Sequence, residues 1–275
     1  MKKIALVLLT VLLFVSFTIL GSSASAEVKE SSRGESIDIQ VMSYNIHHAE
    51  GEDGVLDLER IAQVIDGSDA DIIGLQEVDK HWSSRSNFQD QAKLLAERLG
   101  MFYTYAANLD YESSEKDKPN RQYGTAILSR FPILGSENHF LPKIGNTEQR
   151  GLLEATIIVK GIHLKLYNTH LALTPEERNL QIEKIIDISS QSDGPKVIMG
   201  DLNATPTSDE MKPMYEYYSD AFDGQNEAYT YSASNPTKRI DYIFTSKNME
   251  TSKARVIDTQ ASDHLPITSE ITLER

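Results

Sequence analysis

The sequence predicts an α/β or α+β sandwich, with mixed β-sheets covered by helices. Strand-like and helix-like segments alternate through the first hundred residues, and later stretches are richer in strands. Short apolar runs also end repeatedly in a carboxylate, an amide or an imidazole. The runs are Ser43-Tyr44-Asn45-Ile46-His47, Leu75-Gln76-Glu77-Val78, Asn168-Thr169-His170-Leu171, Gly200-Asp201-Leu202-Asn203, Arg239-Ile240-Asp241-Tyr242 and Ser262-Asp263-His264-Leu265-Pro266. A buried strand that ends this way pushes its polar group out at the sheet edge. Several such ends converge on one site.

Taken in order, Ile37 to Ile46 alternates apolar and polar residues and reads as a strand. Leu56 to Ile65 carries Leu58, Ile61, Ala62 and Ile65 on one helical face, with Asp57 as N-cap. Ile72 to Leu75 is a short buried strand that delivers Glu77. Gln89 to Leu99 is a helix stopped by Gly100. Met101 to Ala107 reads as a strand, residues 108–122 as a long polar loop, and Tyr123 to Leu128 as a strand before the turn Ser129-Arg130-Phe131-Pro132. Leu152 to Val159 and His163 to Thr169 form a hairpin around Lys160-Gly161. Thr174, Pro175 and Glu177 supply N-cap, N1 and N3 of a helix that runs to about Ser190. Val197 to Met199 is a buried strand, and Thr207 to Tyr218 a helix shortened by Pro213. Ile240 to Thr245, Ala254 to Ile257 and Ile267 to Leu273 close the chain as strands.

The N-terminus predicts export. Lys2-Lys3, the apolar run Ile4 to Leu20 and Ala24-Ser25-Ala26 have the layout of a signal peptide over 1–26, with cleavage expected after Ala26. The apolar run approaches a bilayer-spanning length, so an uncleaved anchor is the alternative. Residues 27–36 read as a polar linker, and 37–275 as one domain. The chain has no cysteine, which excludes disulfides and a lipid anchor on cysteine. Cleavage would remove two lysines and no acid, taking the net charge from −14 to −16. So acidic a protein argues against one that tracks a long polyanion, because such binding draws on lysines and arginines.

The run endings have the chemistry of phosphate-ester hydrolysis. Glu77 is the best metal ligand, with Asn45 and Asp263 at comparable strand ends. Hard oxygen donors of this kind suit Mg²⁺ or Mn²⁺. Asp201 is suited to orient or deprotonate a water, and Asn203 to donate to a phosphoryl oxygen. Asp241 is the candidate to hold the His264 ring and fix its tautomer, and His170 adds a second imidazole. Taken singly, each has a plainer reading: a surface carboxylate, a turn, a half-buried histidine. The joint pattern is far less expected by chance.

These segments, with Tyr123-Gly124-Thr125-Ala126-Ile127-Leu128-Ser129, resemble the endonuclease/exonuclease/phosphatase superfamily from about residue 38 to 273. The resemblance implies a four-layered α/β sandwich with the site at one end of two packed sheets. It implies metal-site positions at Asn45, Glu77 and Asp263, a water- and phosphate-orienting pair at Asp201 and Asn203, and an Asp–His pair at Asp241 and His264. His170 matches a histidine of pancreatic-type deoxyribonucleases. His47 stands where abasic-site repair enzymes carry an acid. Arg121, Tyr123 and Arg150 are the expected substrate contacts. The expected protein is a secreted monomer that hydrolyses a phosphodiester or phosphomonoester by direct water attack, with a small or lipid-linked substrate favoured. A secreted nuclease acting on DNA or RNA is the alternative. A non-catalytic binding module is disfavoured, because Glu77, His170, Asp201 and His264 are all present.

Overall fold

In the first strand, β1 (Ile37–Asn45), Ile37, Ile39 and Val41 join one apolar cluster while Met42 and Tyr44 join another. Successive side chains of a strand point to opposite faces. A strand apolar on both faces must therefore be covered on both. The computed structural model describes residues 36–113, 115–225 and 227–275, and it shows both covers. The expected signal segment 1–26 and residues 27–35 of the expected linker lie outside the described residues.

After β1 come α1 (Leu58–Asp66), β2 (Ile72–Lys80), α2 (Gln91–Leu99), β3 (Phe102–Tyr111) and β4 (Arg121–Ser129). Then follow β5 (Ile133–Phe140), β6 (Gly151–Val159), β7 (Ile162–His170), α3 (Pro175–Ser190) and β8 (Lys196–Asp201). The chain ends with α4 (Lys212–Tyr217), β9 (Tyr218–Asp220), β10 (Asp241–Ser246), β11 (Glu250–Val256) and β12 (Ile267–Leu273). Two six-stranded sheets result, ordered β11-β12-β1-β2-β4-β3 and β5-β6-β7-β8-β10-β9. Each is antiparallel except for one central parallel pair, β1–β2 and β7–β8. The parallel pairs are joined through α1 and α3, as parallel neighbours require a crossover.

Val41, Ile72, Ile127, Leu166, Val197 and Met199 fill the space between the sheets. Ile61, Ile65 and Leu95 of α1 and α2 cover the outer face of the first sheet. Ile182, Ile185 and Met214 of α3 and α4 cover the second. Each such burial contributes ~1.5–3 kcal/mol, against a net stability of about 5–15 kcal/mol. Neither sheet is stable without its covers. The order helix, sheet, sheet, helix is the expected four-layered α/β sandwich.

Local signals set the helix ends. Asp57 caps α1 by accepting from the Arg60 N–H, and Gly100 ends α2 at φ +65°. Thr174 opens α3 as its N-cap, its hydroxyl accepting from the Glu177 N–H.

The structure differs from expectation in four places. The expected loop 108–122 shrinks to 112–120, because β3 continues to Tyr111 past a register shift between Ala107 and Leu109, and β4 begins at Arg121. The edge strand β5 is unannounced, since its middle is exposed and polar and has no apolar alternation. The three-residue β9 lies within the end of the expected helix, whose regular part is only Lys212–Tyr217. The strand carrying Glu77 runs on to Lys80, and Glu77 sits inside it.

Candidate active site

Strand register brings the run endings together. His170 pairs with Asp201 across β7 and β8, and Asp201 pairs with Asp241 across β8 and β10. On the first sheet, Asn45 pairs with Gln76, the neighbour of Glu77. The sheets are tied at this end by buried amides. Gln76 Nε2 donates to Asn168 Oδ1 at 2.7 Å, and Asn168 Nδ2 donates to the Leu75 and Ala126 carbonyls at 2.8 Å.

Glu77 owes its direction to a bulge. Between Leu75 and Val78 the β2–β4 register slips, and Glu77 takes φ +56°. Two residues there oppose one, which re-aims a side chain. Asn45 then links the two sheets' carboxylates, since its Nδ2 lies 3.1 Å from both Glu77 Oε1 and Asp201 Oδ2. Its Oδ1 accepts from the His47 N–H at 3.1 Å.

Gly200 explains the tight strand exit. Its φ is +150°, and a Cβ there would lie 2.0 Å from the Thr169 carbonyl oxygen. Its observed role is to let β7 and β8 approach each other.

Asp201, Asp241 and His264 are all buried. His264 Nδ1 donates to Asp241 Oδ2 at 2.9 Å, and Nε2 lies 3.6 Å from Asp201 Oδ2. Burial alone would depress the His264 pKa, but the carboxylates of Asp241 and Asp201 push it up to about 10. Burial likewise pushes Asp201 up to about 7, against the pull of His264. The group thus pairs a protonated imidazole with a carboxyl poised near neutrality, a combination suited to acid–base work at neutral pH. His170 Nε2 lies 3.4 Å from Asp201 Oδ2. Burial, then Arg150 and His264, hold His170 well below its ordinary pKa, so it is neutral. Asn203 is half-buried at φ +51°. Its N–H donates to Asp201 Oδ1 at 2.9 Å, and its Nδ2 to the Leu171 carbonyl at 3.0 Å, leaving one amide hydrogen.

Asp263 is about one-third exposed, 3.9 Å from His47 Nδ1. Arg150 is buried, pairs with Glu148 at 2.9 Å, and its charge is felt by His170 and Tyr123. Tyr123, whose pKa burial raises, also feels Glu77. Arg121 stands apart. Its guanidinium lies 5.9 Å from the Trp82 ring and 6.0 Å from Tyr111, and it has no carboxylate partner among the described residues.

Sequence reasoning passed over Trp82, Arg85 and Tyr231. Arg85 grips the buried Asp79 at 2.6 Å and 2.8 Å and lies over the Trp82 and Tyr123 rings. Tyr231 packs on His264 with ring centroids 4.8 Å apart. The available signal was that Trp82 is the chain's single tryptophan, five residues after Glu77 in a polar stretch.

A divalent cation fits this donor set. Glu77 is half-buried, and among the described residues its carboxylate accepts a hydrogen bond from the Asn45 amide alone. Asp201, Asp241 and Asp263 add further negative charge to the site, which would repel a phosphate anion without a counter-cation.

A model of the endonuclease/exonuclease/phosphatase family matches residues 42–264. The chain belongs to that family. Its members hydrolyse phosphoesters and generally use a divalent metal. The uncharacterised protein YbhP of Escherichia coli K12 is 28% identical over 225 residues, which are 74% of this chain and 84% of YbhP. A family structure from Beutenbergia cavernae is 26% identical at a TM-score of 0.68, covering 86% of this chain and 72% of that one. The mannosyl-6-phosphatase Bt3783 of Bacteroides thetaiotaomicron shares the fold at a TM-score of 0.68 and 22% identity, over 85% of this chain and 99% of its own.

Proposed function

We propose that this chain is a metal-dependent phosphoesterase that hydrolyses a small or lipid-linked phosphoester by direct attack of water. The observation that carries this reading is the buried Asp201–His264–Asp241 group joined to Glu77 through Asn45. Glu77 would hold a divalent cation, with Asn45 and Asp263 as the further candidate donors, and the ion would neutralise charge building on the phosphoryl and leaving oxygens.

The chain's own groups do the rest. Asp201 takes the proton of the attacking water. Protonated His264 and the remaining amide hydrogen of Asn203 donate to phosphoryl oxygens. Asp241 holds the His264 ring in place, and Arg150 and Tyr123 meet the substrate. The Ser262 hydroxyl is buried and committed to the Asn45 carbonyl at 2.8 Å, so it does not serve as a nucleophile.

Three observations favour a compact or lipid-linked substrate. Lys118, Arg130, Arg150 and Arg239 are each paired with a carboxylate, which weakens their pull on a nucleic-acid backbone. A cleft of about 420 Å³, lined by Trp82, Phe88, Lys118 and Arg121 among others, is the size of a small-molecule pocket. Its Trp82 ring lies 5.8 Å from that of Tyr123. Leu173, three residues past His170, is 74% exposed, and Ile144, whose N–H bonds Glu177 at the start of α3, is 49% exposed. These side chains suit contact with a lipid.

The test is a panel of phosphoinositides, sphingomyelin, sugar phosphates, nucleotides and plasmid DNA, assayed with Mg²⁺, with Mn²⁺ and with excess EDTA. Turnover of a small or lipid ester that EDTA abolishes is expected. Full activity in EDTA, or a trapped covalent phospho-enzyme, would count against the mechanism. We also propose export, from Lys2-Lys3, the apolar run and Ala24-Ser25-Ala26. Mass spectrometry of the mature protein should then find Glu27 at its N-terminus, and a retained Met1 would speak against cleavage.

A further inference from the structure

We infer that His47, His48 and Glu77 form a metal site of mixed imidazole and carboxylate character, whose histidines recruit a first-row transition ion such as Zn²⁺ rather than Mg²⁺. The inference deepens the phosphoesterase reading by naming the ion class, and its test does not depend on that reading.

One ligand atom from each of these three residues lies within 4.8 Å of the others, close enough for one ion to join them. The two histidines are set up as ligands in different ways. His47 Nδ1 lies 3.2 Å from the Glu50 backbone carbonyl, which can only accept. Nδ1 therefore carries the hydrogen, and Nε2 keeps the lone pair. A backbone carbonyl that accepts from the other ring nitrogen and so fixes the tautomer is a recurrent companion of metal-bound histidine. His48 is 7% exposed, and its Nδ1 is buried without a hydrogen-bond partner. Its Nε2 lies 3.6 Å from the Glu50 carboxylate, which favours the hydrogen there and leaves Nδ1 as a buried lone pair. A buried nitrogen that no protein group satisfies needs another partner.

The backbone supports the same conclusion. His47, His48 and Ala49 take φ of +43°, +43° and +65°, and Glu77 takes +56°. Three consecutive left-handed residues without a glycine are strained, and such strain gathers at ligand clamps. Here it falls on the strand exit that presents both histidines and on the bulge that presents the glutamate.

The donor chemistry sets the ion class. Hard ions such as Mg²⁺ take carboxylates and waters, whereas imidazoles suit Zn²⁺ and its neighbours. This cluster has two imidazoles and a single carboxylate. The Asn45 Oδ1, a further hard donor, already accepts from the His47 N–H.

The experiment is isothermal titration of chelator-stripped full-length protein with Zn²⁺ and with Mg²⁺, without substrate, together with the absorption spectrum of the Co²⁺-loaded protein. Most nitrogen and oxygen sites favour Zn²⁺ over Mg²⁺, so the pattern of loss decides. His47→Ala and His48→Ala should each weaken Zn²⁺ about tenfold or more and alter the Co²⁺ bands, while Mg²⁺ changes less than about threefold. His47→Asp should shift the preference toward Mg²⁺. Far-UV circular dichroism checks folding, and His47→Asp carries the test if His48→Ala does not fold. Zn²⁺ affinity unchanged in the folded variants, or Zn²⁺ and Mg²⁺ weakened alike, overturns the inference. Selective Zn²⁺ loss without phosphoester turnover would instead sink the phosphoesterase reading alone.

Discussion

Asp201 gathers four other residues of the site. Asn45, His170 and His264 approach its Oδ2, and the Asn203 N–H holds its Oδ1. Through Asn45, whose amide also donates to Glu77, Asp201 is tied to the glutamate of the first sheet. Asp201→Ala and His264→Ala should each cost ~10²–10⁴-fold in turnover, the usual yield of one acid–base group. Far-UV circular dichroism should show the fold retained. A folded variant within a few-fold of the parent, on the true substrate, would remove that residue from the proposed chemistry. Glu77→Ala should lower turnover and also raise the metal concentration needed for half-maximal activity. An unchanged metal titration would take Glu77 out of the ligand set.

At the level of elements, α3 links the site rim to the outer layer. Its Glu177 accepts from the Thr147 hydroxyl at 2.6 Å and the Ile144 N–H at 3.1 Å, so the start of the helix pins the loop before Arg150. The Thr147 hydroxyl holds the Glu177 carboxyl below its ordinary pKa, with the Ile144 N–H and Thr174 assisting against the cost of burial. A carboxyl depressed by folding stabilises the fold above its unfolded pKa, and this contribution fades as pH falls through the folded value. Glu177→Gln should therefore melt below the parent at pH 7, and the gap should narrow below about pH 4. Melting curves at pH 7, 5, 4 and 3 test this, and a gap that widens toward acid would refute it. The same helix was legible in the sequence, because Thr174, Pro175 and Glu177 act within one turn. β5 was not legible, because an edge strand with a polar middle is specified by its partner β6. The run endings were legible singly as strand ends. The Glu77 bulge was hidden, because a left-handed residue that is not glycine leaves no sequence mark. Arg85 and Tyr231 are placed by tertiary packing and no local pattern pointed to them, whereas Trp82 was marked only by being the single tryptophan.

For the whole molecule, the two sheets each contribute one end to a single mouth, and that mouth opens on a chain of net charge −14. Acidic surfaces repel a long polyanion unless basic residues line its path. Here Arg150 and Arg239 are buried in ion pairs and Lys118 and Arg130 face acids, while Arg121 is held between Trp82 and Tyr111. On the proposed reading, this arrangement would grip one phosphate with local contacts rather than track many. Counterion release makes the difference measurable. A protein that neutralises several backbone phosphates loses affinity with a log–log salt slope of about −0.9 per contact. A site that engages one phosphate should show a slope near about −1 in total. Turnover at limiting substrate, measured from low to moderate salt on a lipid or sugar phosphoester and on plasmid DNA, separates the cases. The expected outcome is efficient turnover of the compact ester with a shallow slope, and slow or absent nicking of plasmid. Efficient nicking at low enzyme with a slope of several units, and no turnover of compact esters, would show that the local potential of the cleft overrides net charge. The substrate would then be nucleic acid.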